Sequence, residues 1–197
     1  MQAHYTLHNT PLEVVPHFKY LGVDISNDFR WDRHIDAITG KGFQKLGMIR
    51  RTLHSAPKRV KLMAYLTLCR PVLEYACQAW DPYLAGHIEQ LERVQRQAVR
   101  FVCSIKGTES VSGAIETLGL DRLEDRRRKA RLRLMHQILE DSKQSDLQGF
   151  LISSVQDNNG HNTRSKTRGY PIALTAHYDF LHNSFLHRPS RDLRLAS

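Results

Sequence analysis

Aspartates recur at every fourth position near the start of the chain, at Asp24, Asp28, Asp32 and Asp36. Two-metal nucleotidyl transfer needs carboxylates that hold two cations about 4 Å apart, and Asp32 and Asp36 would share one face of a helix. Three basic side chains lie among them, namely Arg30, Arg33 and His34. This mixture favours surface ion pairs and helix capping over a metal site.

Other kinds of catalytic chemistry find little support. His177, His182 and His187 recur every fifth residue, a spacing that does not place three ligands on one helical face, and no cysteine accompanies them. The sequence contains no GxSxG, no glycine-rich phosphate loop and no HExxH. It therefore predicts no self-sufficient active site and no cofactor.

Positive charge is the more informative feature. The 29 Lys and Arg against 20 Asp and Glu give a net charge of +9 and a pI near 9.7, an excess that favours polyanionic partners. Arg93, Arg96 and Arg100 repeat by three and four on one side of a predicted helix, the spacing that tracks a phosphate backbone. The alternative is a solvated face whose arginines pair with Glu89 and Glu92.

Two further groups of basic residues extend this pattern. Residues 121–133 hold seven positive and three negative side chains, and their apolar stripe cannot be buried without bringing Arg127 near it. The alternative is again a solvated helix. Lys58 and Arg59 follow two arginines at the junction after the first helix. Together these groups predict binding to an RNA or DNA backbone through Arg50, Arg51, Arg93, Arg96, Arg100, Arg126 and Arg127.

Hydrophobic periodicity predicts the elements that must position these side chains. Runs at 5–8 and 12–15 flank Asn9-Thr10-Pro11 and predict a hairpin, and residues 18–25 predict a third strand. Helical periods predict helices over 31–53, 58–80, 84–104, 111–118 and 121–140. We expect Asn27 or Asp28 to cap the first of them and Pro71 to kink or split the second.

The predicted fold class is mainly α: a helical bundle with a small N-terminal β hairpin and strand, and an irregular basic C-terminal tail. The glycines at 40, 42 and 47 each cost the first helix roughly 1 kcal/mol, so packing must hold it. The predicted divisions are 1–27 for the hairpin and strand, 28–106 for the bundle, 107–141 for a short helix and the basic helix, and 142–197 for the tail.

The cysteines and the apolar segments bear on location. Cys69, Cys77 and Cys103 form no CxxC pair and each sits among apolar residues, which predicts buried thiols in a reducing compartment. No apolar stretch approaches about 18 residues, and no signal-peptide core begins the sequence. We therefore expect a cytoplasmic or nuclear protein.

Six motifs follow one another in an order that a known family shares. They are FKYLGVDIS, WxxHI, KLGMIRRTL, RPVLEYACQAWDPY, IEQLERVQRQAVRFV and LGLDRLEDRRRKARL. In this order and spacing they resemble the region downstream of the catalytic palm in the reverse transcriptases (RNA-directed DNA polymerases) of non-LTR, LINE-type, jockey-like retrotransposons. The resemblance runs from about His4 to Asp192 and includes TRSKTRGY in the tail.

The resemblance implies a fold and a function. Lys19, Tyr20, Leu21 and Gly22 would form a primer-grip hairpin near the primer terminus, where glycine allows close backbone approach. The helices beyond it would form a thumb-like bundle, whose first helix, 31–53, carries glycines suited to the same close approach. The partner of the strand would be the sheet of a palm upstream.

Catalysis is not implied for this chain. Members of the family polymerise DNA with aspartates that precede this region, one of them in a Tyr/Phe-Ala-Asp-Asp turn, and this sequence has no Asp-Asp pair. Magnesium would be expected only in the palm. The expected function is thus primer–template, RNA or DNA binding without catalysis, with no membrane or small-molecule partner.

Two other functions fit the same predicted fold. A helical interaction or self-association module would dock a partner, such as a palm domain or a second copy, on apolar surface at Leu21, Val23 and Trp31. A decayed retroelement open reading frame with no selected role would retain the same motifs.

Overall fold

The computed structural model of the chain describes residues 6–107 and 109–140. Four short strands lie within them: β1 Thr6–Leu7, β2 Thr10–Pro11, β3 His17–Tyr20 and β4 Val23–Ser26. The α-helices of this part are α1 Asp32–Thr52, α2 Lys58–Ala64, α3 Arg70–Glu74, α4 Cys77–Trp80, α5 Ala85–Cys103, α6 Ser112–Thr117 and α7 Leu123–Glu140. The mainly helical class with an N-terminal hairpin is confirmed, while the predicted tail, 142–197, lies outside the described residues.

Both hairpins turn on two residues with positive φ. β1 pairs with β2 around His8 and Asn9, at 48° and 61°, so the prediction of a turn at 9–11 and a strand at 12–15 was wrong. β3 pairs with β4 around Leu21 and Gly22, at 45° and 87°. The single strand predicted over 18–25 is therefore two strands, because a two-residue turn with positive φ at both positions reverses the chain.

Only one strand of the β3–β4 hairpin, β4, packs against the helical core. Val23 is buried and Ile25 packs against the core. Their cross-strand partners, Tyr20 and Phe18, are 59% and 60% exposed. Because cross-strand partners share one face of a sheet, the apolar face of this hairpin continues beyond the helices that cover β4.

A buried histidine closes the outer edge of β4. The backbone N–H of Asp24 donates to Nδ1 of His34 over 3.2 Å, and the imidazole meets the Trp80 ring edge-on with 4.9 Å between centroids. Burial lowers the pKa of His34 to about 4, although the Asp24 carboxylate opposes the change. The ring is therefore neutral near pH 7, and with Nδ1 accepting it carries its proton on Nε2.

α1 buries the apolar stripe that its periodicity predicts. Its buried apolar residues include Ile35, Ile38, Gly42, Leu46 and Ile49. The predicted cap by Asn27 or Asp28 is wrong: Trp31 occupies the capping position, and the Asp28 carboxylate accepts the N–H of Arg30 instead, at 3.0 Å. The helix is held by packing, as its glycines require.

Gly42 lies where α1 meets α3 and α5. A Cβ built at this position would stand 2.8 Å from Cδ2 of Leu73 and 3.3 Å from Cγ1 of Val94. The Cys69 thiol donates to the Gly42 carbonyl over 3.3 Å, and burial raises the pKa of that thiol to about 11. The close approach at Gly42 is thus made by neighbouring helices of the same chain.

The segment 58–80 departs from α-helical geometry just before Pro71, the position predicted for a kink or split, and stays helical to Glu74. Proline has no N–H to donate and its ring clashes with the preceding turn. Here the chain widens into a π-helical turn over Tyr65–Cys69, and Pro71 is the second residue of the α3 helix that follows. A second break falls at Ala76, where φ is 51°. Beyond it Trp80 folds back and donates from Nε1 to the Tyr75 carbonyl at 2.6 Å.

α5 and α7 complete the core. α5 lies parallel to α1, because Asp36 accepts a hydrogen bond from Gln90 and Arg50 donates to Gln97 further along both helices. The buried apolar residues of α5 are Leu91, Val94, Ala98, Val99 and Val102. α7 packs across α4 and α5. In the described part of the chain, no helix is both long and apolar enough to span a membrane.

We expect Gly42→Ala to destabilise the fold by about 1 to 3 kcal/mol, because the added methyl meets the buried side chain of Leu73. Gly40→Ala is the matched control in the same helix. Its methyl meets no atom within 4 Å, so alanine should be neutral or stabilise by up to about 1 kcal/mol. Urea unfolding measures both, and equal effects would contradict the packing described for Gly42.

We expect the stability of the fold to decrease as the pH falls from about 6.5 to about 4 through His34. Since its pKa is lowered to about 4 in the folded chain, the unfolded chain binds the proton first, and stability present above pH 6.5 is lost by up to about 3 kcal/mol. His34→Asn keeps an acceptor for Asp24 and does not titrate. Urea unfolding near pH 7.5 and near pH 4.5 should show the larger loss in the unaltered chain, whereas the same loss in both would exclude this role.

Candidate nucleic-acid interface

The residues predicted to bind nucleic acid fall into three places. One is the tip of the β3–β4 hairpin, one is the adjoining parts of α1 and α5, and one is α7. The three places differ in how many of their basic side chains pair with other groups of the same chain. That pairing decides which of them remain available to a phosphate.

The hairpin tip presents its predicted residues to solvent. Lys19, Tyr20, Leu21 and Gly22 are all exposed, and Leu21 is 73% exposed. Tyr75 holds the turn, donating from its hydroxyl to the Leu21 carbonyl at 2.9 Å. A Cβ on Gly22 would lie 3.3 Å from the Tyr75 ring, so both the positive φ and this neighbour favour glycine.

The apolar docking surface expected at Leu21, Val23 and Trp31 needs correction. Leu21 is exposed, but Val23 is buried at 7% exposure and belongs to the core. Trp31 is half-buried and packs against that core. The exposed apolar residues of the hairpin are instead Phe18, Tyr20 and Leu21.

Several basic side chains of α7 bind carboxylates of the same chain. Arg126 makes a two-pronged ion pair with Glu74, with Nη2 3.0 Å from Oε2. Lys129 places Nζ 2.7 Å from Oδ2 of Asp121, which lowers the pKa of that carboxyl. These pairs neutralise much of the positive charge on which the prediction of polyanion binding by this helix rests.

Arg127 and Arg131 share one buried carboxylate, that of Asp81. Arg127 donates from Nε to Oδ1 over 2.7 Å and Arg131 pairs with Oδ2, and none of the three side chains is more than 6% exposed. Burial lowers the pKa of the Arg127 guanidinium, against an opposing effect of the Glu92 carboxylate. Because a phosphate cannot reach a fully buried guanidinium, the expected contact by Arg127 is corrected: this residue holds the fold.

Polar side chains of α5 fix the start of α7. Glu92 is buried and its Oε1 accepts the backbone N–H of Glu124 at 3.0 Å, which places a carboxylate at a helix N-terminus. Gln95 donates to the Asp121 carbonyl at 3.0 Å and accepts from the Tyr65 hydroxyl at 2.8 Å. Burial raises the pKa of that hydroxyl. Glu92 therefore serves α7 and not the arginines of its own helix.

The three arginines of α5 differ in their partners. Arg96 pairs with Glu89, as the alternative for this face predicted. Arg100 donates to the carbonyls of Gly107 and Glu109, at 2.8 Å and 2.6 Å, and so fastens the loop after the helix. Within the described residues Arg93 is exposed and makes no ion pair or hydrogen bond. It is the arginine of this helix best placed for a ligand.

A concentration of uncompensated charge lies where α1 ends and α2 begins. We call Arg50, Arg51, Lys58, Arg59 and Lys61 the basic corner. Arg50 donates to the Gln97 carbonyl at 2.8 Å, and Lys61 holds Nζ 4.8 Å above the Phe101 ring. These two contacts set the corner against the second half of α5, beside Arg93.

The basic corner lies in a stretch of the sequence that has no acidic residue. Residues 37–73 contain eight Lys and Arg and no Asp or Glu. Lys61 is not among the predicted contacts. Its stem is buried while its ammonium lies over an aromatic ring at this surface.

The four regularly spaced aspartates each have a different partner. Asp24 pairs with Arg33, Asp28 with the N–H of Arg30, Asp32 with His87 and Asp36 with Gln90. In the described ranges no group of three His, Cys, Asp or Glu side chains could hold a metal ion. The three regularly spaced histidines, His177, His182 and His187, lie outside those ranges.

No protein-family model, no curated protein and no solved structure matches this chain. Among the surfaces above, the basic corner combines the most exposed cationic side chains with the fewest carboxylate partners.

We expect Asp81→Ala to destabilise the fold by about 3 to 5 kcal/mol, because it leaves two buried guanidinium groups without their shared carboxylate. Asp121→Ala is the control. It removes an exposed carboxylate that lies just before α7 and pairs with Lys129, and it should leave stability nearly unchanged. Urea unfolding compares the two, and a small loss for Asp81→Ala would mean that α7 is not held by this pair.

Proposed function

We propose that this chain is a nucleic-acid-binding module, the primer-grip and thumb region of a non-LTR retroelement reverse transcriptase, that holds an RNA or DNA backbone and performs no catalysis of its own. The basic corner carries the proposal. Its side chains, apart from Lys61, are exposed, and they lie in the stretch 37–73 that contains no carboxylate. Nucleotidyl transfer is assigned to the palm of such an enzyme.

The physical basis is counterion release. An exposed cluster of cations without carboxylate partners gains little inside the protein, but each contact with a phosphate frees a condensed counterion from the nucleic acid. Arg50 and Lys61 are already positioned by Gln97 and Phe101, so less side-chain entropy is lost when they bind. Arg93 extends the same surface along α5.

The hairpin tip supports the assignment to a primer-grip region. Tyr75 fixes the Leu21-Gly22 turn, and the Leu21 side chain is exposed to solvent. Lys19 contributes a cation to the exposed strand β3. The motif-based resemblance supplies the identity of the ligand at this tip, and the exposed position of all four residues is what such contact requires.

We expect the triple variant Arg51→Gln, Lys58→Gln, Arg59→Gln to bind a primer–template duplex more weakly than the unaltered chain. Affinity falls as salt rises, and each lost phosphate contact makes the plot of log affinity against log salt concentration less steep by about 0.9. The steepness should therefore decrease by about 2 to 3. Fluorescence anisotropy over a range of salt concentrations measures it.

A matched control removes the same charge elsewhere. Arg33, Arg122 and Arg133 are exposed residues outside the basic corner, and changing all three to glutamine lowers the net charge equally. This control should retain most of the slope. An equal fall in both variants would show that only net charge matters, and an unchanged slope in the first would remove the basic corner from the binding surface.

A further inference from the structure

α1 and α5 pack against each other along a shared seam. Two cross-helix hydrogen bonds mark its ends: Gln90 donates to Asp36 at 3.4 Å, and Arg50 donates to Gln97 at 2.8 Å. Asp36 and Arg50 are separated by two heptads, so they lie on nearly the same face of α1. We call the surface between these two contacts the α1–α5 groove.

Phe43 occupies the middle of this groove. It stands one heptad from Asp36 and one from Arg50 and therefore shares their face of α1. Its side chain is 39% exposed, although the neighbouring Gly42 is packed against Val94 of α5. A large aromatic ring thus lies open at a helix–helix seam where burial would ordinarily be favoured.

The positions around Phe43 keep its ring accessible. In the described structure no atom lies within 4 Å of a Cβ built on Gly40, three residues before Phe43, whereas a Cβ built on Gly47 would lie 3.6 Å from Nη1 of Arg51. Arg93 is three residues from Gln90 and four from Gln97, so it shares the face of α5 from which those two residues contact α1. The open space at Gly40 leaves one side of the ring uncovered, and the exposed Arg93 lies on the face of α5 that adjoins it.

We propose that the α1–α5 groove binds single-stranded nucleic acid, with an unpaired base stacked on Phe43 and the adjoining phosphates held by Arg50 and Arg93. Every base offers a π face to an aromatic ring, and arginines beside the ring track the backbone. In a duplex those faces are stacked on one another, so the ring adds nothing there. This inference rests on the proposed function, since it names the strand state that the basic surface selects.

Arg50 can serve the ligand without leaving its place. Both of its hydrogen bonds to Gln97 come from Nη2, and a guanidinium has further N–H donors on Nη1 and Nε. Its position on the same face as Phe43 places those donors at the end of the groove nearest the basic corner. A strand leaving Phe43 in that direction meets Arg51 and Lys58 next.

The test measures binding of a labelled oligonucleotide of about 12 nucleotides, as a single strand and as a duplex, to the full chain. Phe43→Ala should weaken single-strand binding about tenfold or more and change duplex binding less than about twofold. Phe43→Trp should restore single-strand binding, because it restores the ring. A strand with abasic sites should bind the unaltered chain about as weakly as the intact strand binds Phe43→Ala.

Met48→Ala is the matched control, because Met48 is a 38% exposed apolar residue of the same helix on the flank away from α5. It should leave both affinities unchanged, and circular dichroism confirms that each variant is folded. If Phe43→Ala weakens neither form, or both equally, the groove does not select unpaired bases, although the basic corner remains the proposed binding surface. If the unaltered chain binds neither form at low salt, the proposed function is itself overturned.

Discussion

The carboxylate of Asp81 is the point on which the arrangement of this chain depends. It is buried and receives two guanidinium groups from successive turns of α7, those of Arg127 and Arg131. Two cations at one anion would be costly in a low-dielectric site without further negative charge. Glu92, buried nearby, both opposes the loss of the Arg127 charge and caps the start of α7. The docking of α7 is therefore an electrostatic arrangement set inside an apolar core.

The residue before Asp81 connects that arrangement to the other end of the fold. Trp80 is fully buried, donates to the Tyr75 carbonyl and packs on the imidazole of His34. His34 in turn accepts the N–H of Asp24 in β4. Two adjacent residues thus hold two different elements: Trp80 supports the β3–β4 hairpin through His34, and Asp81 binds α7. Because His34 must stay neutral for this packing, the hairpin is the more pH-sensitive of the two.

Local periodicity predicted much of the fold but little of the charge pairing. The buried stripe of α1 and the break near Pro71 follow from neighbours within a few residues. The ion pair between Arg127 and Asp81 joins residues 46 apart, and no local pattern distinguishes it from a solvated arginine. The turn at Leu21 has no sequence signal for another reason: leucine rarely adopts positive φ, so the alternating apolar run predicts a single strand. For the candidate interface, the spacing of arginines on α5 indicates a basic face. The stretch 37–73, which has no acidic residue, is also visible in the sequence. The exposure of the Phe43 ring is not, because it depends on how α1 and α5 pack.

The distribution of carboxylates along the chain separates the arginines that hold the fold from those that are available to a ligand. On α7 the cations meet Glu74, Asp81 and Asp121, all of which lie outside the stretch 37–73. At the basic corner the positioning contacts are a glutamine and an aromatic ring, Gln97 and Phe101, which orient a cation without cancelling its charge. A guanidinium held by a carboxylate has little left to offer a phosphate, whereas one held by an amide keeps its full charge and several donors. The nature of the partner, and not the number of basic residues on a helix, is therefore what distinguishes the two roles in this chain.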